Sequence, residues 1–130
     1  MADENGKATG ALALAQGALD AGWAPGMALL DLTGGTPAAA AILGAEAPAA
    51  PWLIGGYPGS ADFVTTVLGY AAPDTLQRAW VLTAPDGARA LPVSVLTDRG
   101  LPFPEGYEKV ATAVTGWRSE MQELWRPAAP

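Results

Sequence analysis

Apolar positions along the chain follow two rhythms, one helical and one strand-like, separated by glycine and proline. Residues 8–22, ATGALALAQGALDAG, place Leu12, Ala15 and Leu19 at helical spacing and end in a glycine suited to a left-handed cap. Residues 27–33, MALLDLT, form a continuous apolar run broken only by Asp31, the signature of a strand buried on both faces. A second helix follows at once in TGGTPAAAAILG. Thr36 stands at the N-cap, Pro37 takes the first helical position where a missing N–H costs nothing, and Gly44 closes the helix.

The same plan recurs in PWLIGGYPGSADFVTTVLGY. A short apolar strand over residues 52–54 leads through Gly55 and Gly56 to a helix with Ser60 as cap and Asp62 in its first turn. Phe63, Val64, Val67 and Leu68 are expected to face the core. In PDTLQRAWVLTAPDG a brief helical turn, capped by Asp74 with Gln77 three residues on, precedes a strand over residues 79–83. Another strand is expected at residues 91–97. The short link APDGARA between these two strands predicts an antiparallel hairpin, because a parallel crossover needs about a dozen residues. Residues 105–125 carry Val110, Val114, Trp117, Met121 and Leu124 on one helical stripe, which predicts a last helix packed on the sheet.

Together these elements predict an α/β fold: a three-layer sandwich with a small mixed, mostly parallel sheet of about four strands and an antiparallel edge hairpin. Residues 1–130 form one domain, either complete in itself or a part of a larger protein.

Composition narrows the chemistry. Half of the residues are apolar and 15% are charged, a balance that supports a packed core rather than disorder. Thirteen acidic against seven basic side chains give a net charge of −6, and the seven cations form no stripe, so a nucleic-acid partner is not expected. Cysteine is absent, which removes disulfides and thiolate chemistry. Histidine is absent too. That excludes Ser-His and Cys-His catalysis and histidine-ligated metal sites within this chain. There is no apolar run of about 18 residues, and the first ten residues lack the basic start and apolar core of a signal peptide. No two carboxylates share a helix face as an acid/base couple, so no catalytic residue, cofactor or metal is assigned.

The candidate chemistry lies at the two glycine turns. If the strands before them are parallel, both turns emerge at the carboxyl edge, where open α/β sheets collect ligands. The candidate ligand-binding residues are Asp31, Thr33, Gly34, Gly35 and Thr36 in the first turn and Gly55, Gly56, Tyr57, Gly59 and Ser60 in the second. Helix N-termini near Thr36 and Ser60 suit a small anionic or sugar-like ligand, although neither turn matches a phosphate fingerprint. The plainer alternative is that glycine and proline serve only to make tight turns. Asp31 is the sharpest residue, since a carboxylate inside an apolar strand is costly unless it is satisfied. It either meets a ligand or accepts hydrogen bonds from the turn. Thr33, Thr83 and Thr97 all end expected strands, and Thr97, Asp98 and Arg99 join the same rim only if the strand directions allow it. Tyr57, at a loop tip between glycines, is the aromatic least explained by core packing; Trp52, Trp80, Trp117 and Trp125 are assigned mainly to the core.

The segments DLTGGTP (Asp31 to Pro37) and GGYPGS (Gly55 to Ser60) resemble parts of the soluble tail of bacterial multi-spanning membrane proteins of glycosyltransferase-like type. This resemblance implies a C-terminal extramembrane α/β domain on the periplasmic or cytoplasmic face of a bacterial membrane, joined to a membrane portion that holds the chemistry. Without such a portion a cytoplasmic location is expected. Two alternatives remain at this point. One is a small phosphate- or nucleotide-binding enzyme domain using helix N-termini and Asp31 or Asp98 for Mg²⁺. The other is an oligomerisation unit, a homo-oligomer with Trp125 at the contact.

Overall fold

A computed structural model of the chain describes residues 2–34, 38–47, 55, 58–115 and 120–128. In chain order the elements are α1 (Ala2–Asp20), β1 (Leu29–Asp31), α2 (Ala38–Leu43), α3 (Ser60–Leu68), α4 (Pro73–Arg78), β2 (Trp80–Thr83), α5 (Ser94–Thr97), β3 (Tyr107–Thr115) and β4 (Glu120–Pro127). The four strands make one mixed sheet in the order β1-β2-β4-β3. β1 and β2 are parallel, with Leu30 opposite Val81, whereas β4 is antiparallel to both of its neighbours. On the other flank of β1, Glu46 pairs in parallel fashion with Ala28 through Leu29 N–H to Glu46 C=O (2.9 Å) and Glu46 N–H to Met27 C=O (3.0 Å). The expected strand at residues 52–54 lies outside the described residues.

Alternation of side chains across the sheet explains why residues 27–33 read as one apolar run. Leu29, Trp80, Leu82 and Leu124 share a cluster with Leu14, Ala15 and Ala18 of α1, Leu43 of α2 and the buried Trp23. Leu30, Leu32, Val81 and Tyr107 share the other with Val64 and Leu68 of α3, Leu76 of α4, and Val95 and Leu96 of α5. Trp23 ties the first cluster together. Its indole N–H donates to Leu43 C=O (2.9 Å), and its ring meets Trp80 edge-on at 5.2 Å.

Several expectations need correction. The sheet is mixed but not mostly parallel, since among the named strands only β1 and β2 form a parallel pair. The N-cap of α4 is Ala72, and Asp74 lies in the first turn without a capping hydrogen bond. The inner face of α1 is Ala11, Leu14, Ala15 and Ala18, while Leu12 and Leu19 are 57% and 53% exposed. Alanine at three of these four positions lets α1 lie close to β3, and at Gly17 an added Cβ would come 2.6 Å from the Ala111 Cβ. On α3, Val64 and Leu68 are buried as expected but Phe63 is 60% exposed, and the cap is Gly59, with Ser60 already the first helical residue.

The expected strand at residues 91–97 is instead the short helix α5. Pro92 cannot donate to a ladder, and its carbonyl accepts from Val95 N–H (3.2 Å) as the turn begins. The expected hairpin between residues 79–83 and 91–97 is therefore absent.

The expected helix over residues 105–125 is also overturned, because this stretch forms most of the antiparallel pair β3–β4. Val110, Thr112, Val114 and Thr115 are β-branched and favour strand geometry. A register shift between Lys109 and Ala111 accommodates one extra residue in β3, and Val110 and Ala111 both pack on the α1 side. Arg126 of β4 ties this pair to the turn just after α1 by donating to Ala21 C=O (2.6 Å), and it also forms an ion pair with Glu108.

Candidate functional site

Asp31 is the last residue of β1, and alternation places it on the same side as Leu29, beside Leu82. Its Oδ1 accepts two hydrogen bonds from Thr33, one from the backbone N–H (2.9 Å) and one from the hydroxyl (2.6 Å). This is an Asx-type turn in which the carboxylate shapes the chain leaving the strand. Burial pushes the Asp31 carboxyl above its ordinary value of 3.8, against the opposing pull of the two Thr33 hydrogen bonds. The turn thus offsets only part of the cost of desolvating the charge.

Connections diverge at β1. The chain leaves it through α2, which packs on the α1 side, and reaches Glu46 on one flank. From Gly55 it passes through α3 and α4, which pack on the opposite side, and enters β2 on the other flank. In open α/β sheets, ligands occupy the crevice outside the carboxyl ends of strands where connections part in this way. Gly34 and Gly55 lie at such a place.

Residues 84–91 return from the end of β2 and lie across it. Leu91 N–H donates to Leu32 C=O (2.8 Å), and Gly55 N–H donates to Arg89 C=O (2.7 Å). Gly34 has φ 69, and a Cβ there would lie 2.6 Å from the Arg89 carbonyl carbon and closer still to its oxygen. At Gly55 a Cβ would collide with the Ala90 carbonyl oxygen and come 2.8 Å from its carbon. Both glycines therefore have a packing role: the main chain of residues 89–90 occupies the space that side chains would need.

Of the other sequence-predicted site residues, Thr33 is buried beside Asp31, Gly59 is the exposed left-handed N-cap of α3, and Ser60 is buried at its first turn. Gly35, Thr36, Gly56 and Tyr57 lie outside the described residues, as does Pro37. The three threonines are not brought together. Thr83 follows Leu82 on β2 and so points to the side opposite Asp31, where its hydroxyl accepts from the Trp125 indole N–H (3.1 Å). Its own hydroxyl proton faces the Glu123 carbonyl (3.4 Å) and carboxylate (3.5 Å), and that carboxylate pairs with Lys109 (3.0 Å). Thr97 belongs to α5 and donates to Ser94 C=O (3.0 Å). Arg99, beyond Asp98, reaches Thr65 C=O (3.4 Å) and approaches Gly69 at the C-terminal end of α3, away from the Gly59 end.

Sequence reasoning missed the segment of residues 84–91 as part of this edge. Its signal was the Pro-Asp-Gly turn, read as the tip of a hairpin. Among the described residues no group of three or more histidine, cysteine, aspartate or glutamate residues is placed to hold a metal ion. No described helix is long and apolar enough to cross a membrane. Comparison with protein-family models, with curated proteins and with solved structures gives no match for this chain.

Proposed function

We propose that this chain is an accessory binding domain, a three-layer α/β sandwich that takes a small polar ligand at the carboxyl edge of β1. The observation that carries this reading is the half-buried carboxylate of Asp31 at the end of a parallel strand where connections diverge. A carboxylate that costs stability and sits at such an edge fits a group retained for recognition. Both hydrogen bonds to Asp31 fall on Oδ1, which leaves Oδ2 for the hydroxyl of a polyol or sugar. The helices on both sides of the sheet support the layered arrangement. The DLTGGTP and GGYPGS segments support a place in a larger bacterial membrane or envelope protein, with any reaction carried out elsewhere in that protein.

Thermal unfolding against phosphate, nucleotides with and without Mg²⁺, sugar phosphates and free sugars tests this reading. A ligand that binds only the folded state adds about 2.7 kcal/mol at one hundred times its dissociation constant. The expected result is a raised midpoint with a hydroxyl-bearing compound, lost in Asp31→Asn. A panel without any shift overturns the proposal.

A further inference from the structure

We propose that Arg89 selects the ligand of this edge, adding recognition of a phosphate or carboxylate group to the hydroxyl contact at Asp31, so that the preferred ligand is an anionic sugar or polyol. The inference rests on the reading of the carboxyl edge as a binding site and adds the charge class of what binds there.

The main chain of Arg89 is fixed although its side chain is exposed. Its carbonyl accepts from Gly55 N–H, and its carbonyl carbon and Cβ lie 2.6 and 2.9 Å from the position a Gly34 Cβ would take. Two residues on, Leu91 is anchored to Leu32 C=O, just beyond β1. The root of the side chain is thus held between Gly34 and Gly55 at the place where connections part from β1.

The other cations divide clearly. Arg99 donates to Thr65 C=O, Lys109 pairs with Glu123, and Arg126 pairs with Glu108 and donates to Ala21 C=O. Among the cations with described side chains, Arg78 and Arg89 make neither an ion pair nor a hydrogen bond. Arg78 ends α4, where a cation complements the helix dipole, so its place has a local explanation. Arg89 has none of that kind. In a chain of net charge −6, a guanidinium kept at the carboxyl edge offers an anion an attractive point within a repulsive surface.

Guanidinium is also the group best shaped for this task. Its planar fork donates two parallel N–H bonds to phosphate or carboxylate oxygens, a geometry lysine cannot reproduce. A neutral sugar would use Asp31 alone, and a bare phosphate would use Arg89 alone. A phosphorylated or carboxylated polyol would use both.

The test is titration of the full chain with glucose 1-phosphate, glucuronate, glucose and inorganic phosphate, followed by the amide resonances of Gly34 and Gly55 and by calorimetry. Wild type is expected to bind glucose 1-phosphate or glucuronate at least tenfold more tightly than glucose, with both glycine amides shifting. Arg89→Gln should erase that preference and Arg89→Lys should restore part of it, while Arg78→Gln leaves it intact. Raising the salt concentration should weaken the wild-type preference. If Arg89→Gln keeps the preference, the proposal is overturned. If glucose binds equally well and Asp31→Asn abolishes it, the edge remains a binding site and only the anion selectivity fails. If none of the four compounds binds or shifts the glycine amides, the anion proposal fails, and the edge itself is then judged by the wider thermal panel.

Discussion

The carbonyl carbon of Arg89 lies 2.6 Å from the point where a side chain on Gly34 would begin. Gly34 also has φ 69, in the left-handed region. Two independent restrictions therefore meet at one position, a backbone that disfavours L side chains and a neighbouring main chain that leaves no room.

These restrictions can be separated by comparison with Gly100, which has φ 80 but nothing within 4 Å of a built Cβ. Gly100→Ala should carry only the left-handed penalty of about 1–2 kcal/mol. Gly34→Ala should cost about 3 kcal/mol or more, because residues 89–90 must also move and the Gly55 to Arg89 hydrogen bond is strained with them. Urea unfolding of the two variants checks the difference. Equal losses would mean that residues 84–91 yield easily and are not fixed by the glycine contact.

Asp31 gives a prediction in pH. Its carboxyl is raised by burial in the folded state, so the fold binds that proton more tightly than the unfolded chain does. Stability from this group is complete below 3.8 and is lost as the pH rises through the higher folded value. At neutral pH the ionised group is a burden. Asp31→Asn keeps an oxygen able to accept both Thr33 hydrogen bonds while removing the charge. The variant should therefore melt above wild type at pH 7, and the gap should close as the pH falls below 3.8. Loss of ligand binding together with gain of stability would mark Asp31 as a residue kept for recognition. A variant less stable than wild type at pH 7 would mean that the charge itself holds the turn.

The parts of this fold legible in the sequence were those governed by short-range chemistry. The run around Leu29 and Leu30 announced a strand buried on both faces, and Gly44, with φ 64, does close α2. Asp31 stood out because a carboxylate in such a run needs a local partner, and Thr33 supplies one. The misreadings arose where a spacing fitted two geometries. Val110, Val114, Met121 and Leu124 suit a helical stripe, yet Leu124 joins the core by pairing with Ala111, Val110 packs beside it as the extra residue of β3, and Val114 and Met121 face each other across the hairpin. The β-branching of the two valines and the neighbouring threonines were the better guide. The return of residues 84–91 onto Gly34 and Gly55 is a contact between distant parts of the chain, and no local pattern encodes it. It is the part of the site that needed the fold.

The contact between Gly17 and Ala111 sets the spacing of α1 on the sheet. Alanine is worth about 0.5–1 kcal/mol more than glycine inside a helix, so Gly17→Ala would stabilise α1 if it stood alone. In the protein the new methyl would sit 2.6 Å from the Ala111 Cβ. Overpacking of this kind costs about 1–3 kcal/mol, and the net effect should be destabilising. Adding Ala111→Gly should recover most of the loss. A double-mutant cycle should give a coupling of about 0.5–3 kcal/mol. No coupling would place the two residues out of contact.

The hairpin itself is open to a sharp test at Val114 and Leu124. A helix over residues 105–125 would bury both on one stripe. In the sheet, Val114 pairs with Met121 on an exposed part of β3, whereas Leu124 lies between Leu82 and Ala111 in the core facing α1. Val114→Thr preserves β-branching and adds a hydroxyl, a change poorly tolerated in a core but harmless in an exposed strand. It should alter stability by no more than about 0.5 kcal/mol. Leu124→Ala should cost about 2–5 kcal/mol, since Trp80, Leu82 and α1 cannot collapse fully into the space it vacates. Chemical unfolding of both variants decides between the geometries. A large loss from Val114→Thr would restore the helical stripe, and a small one beside a large loss from Leu124→Ala fits an exposed Val114 and a buried Leu124, as the sheet places them.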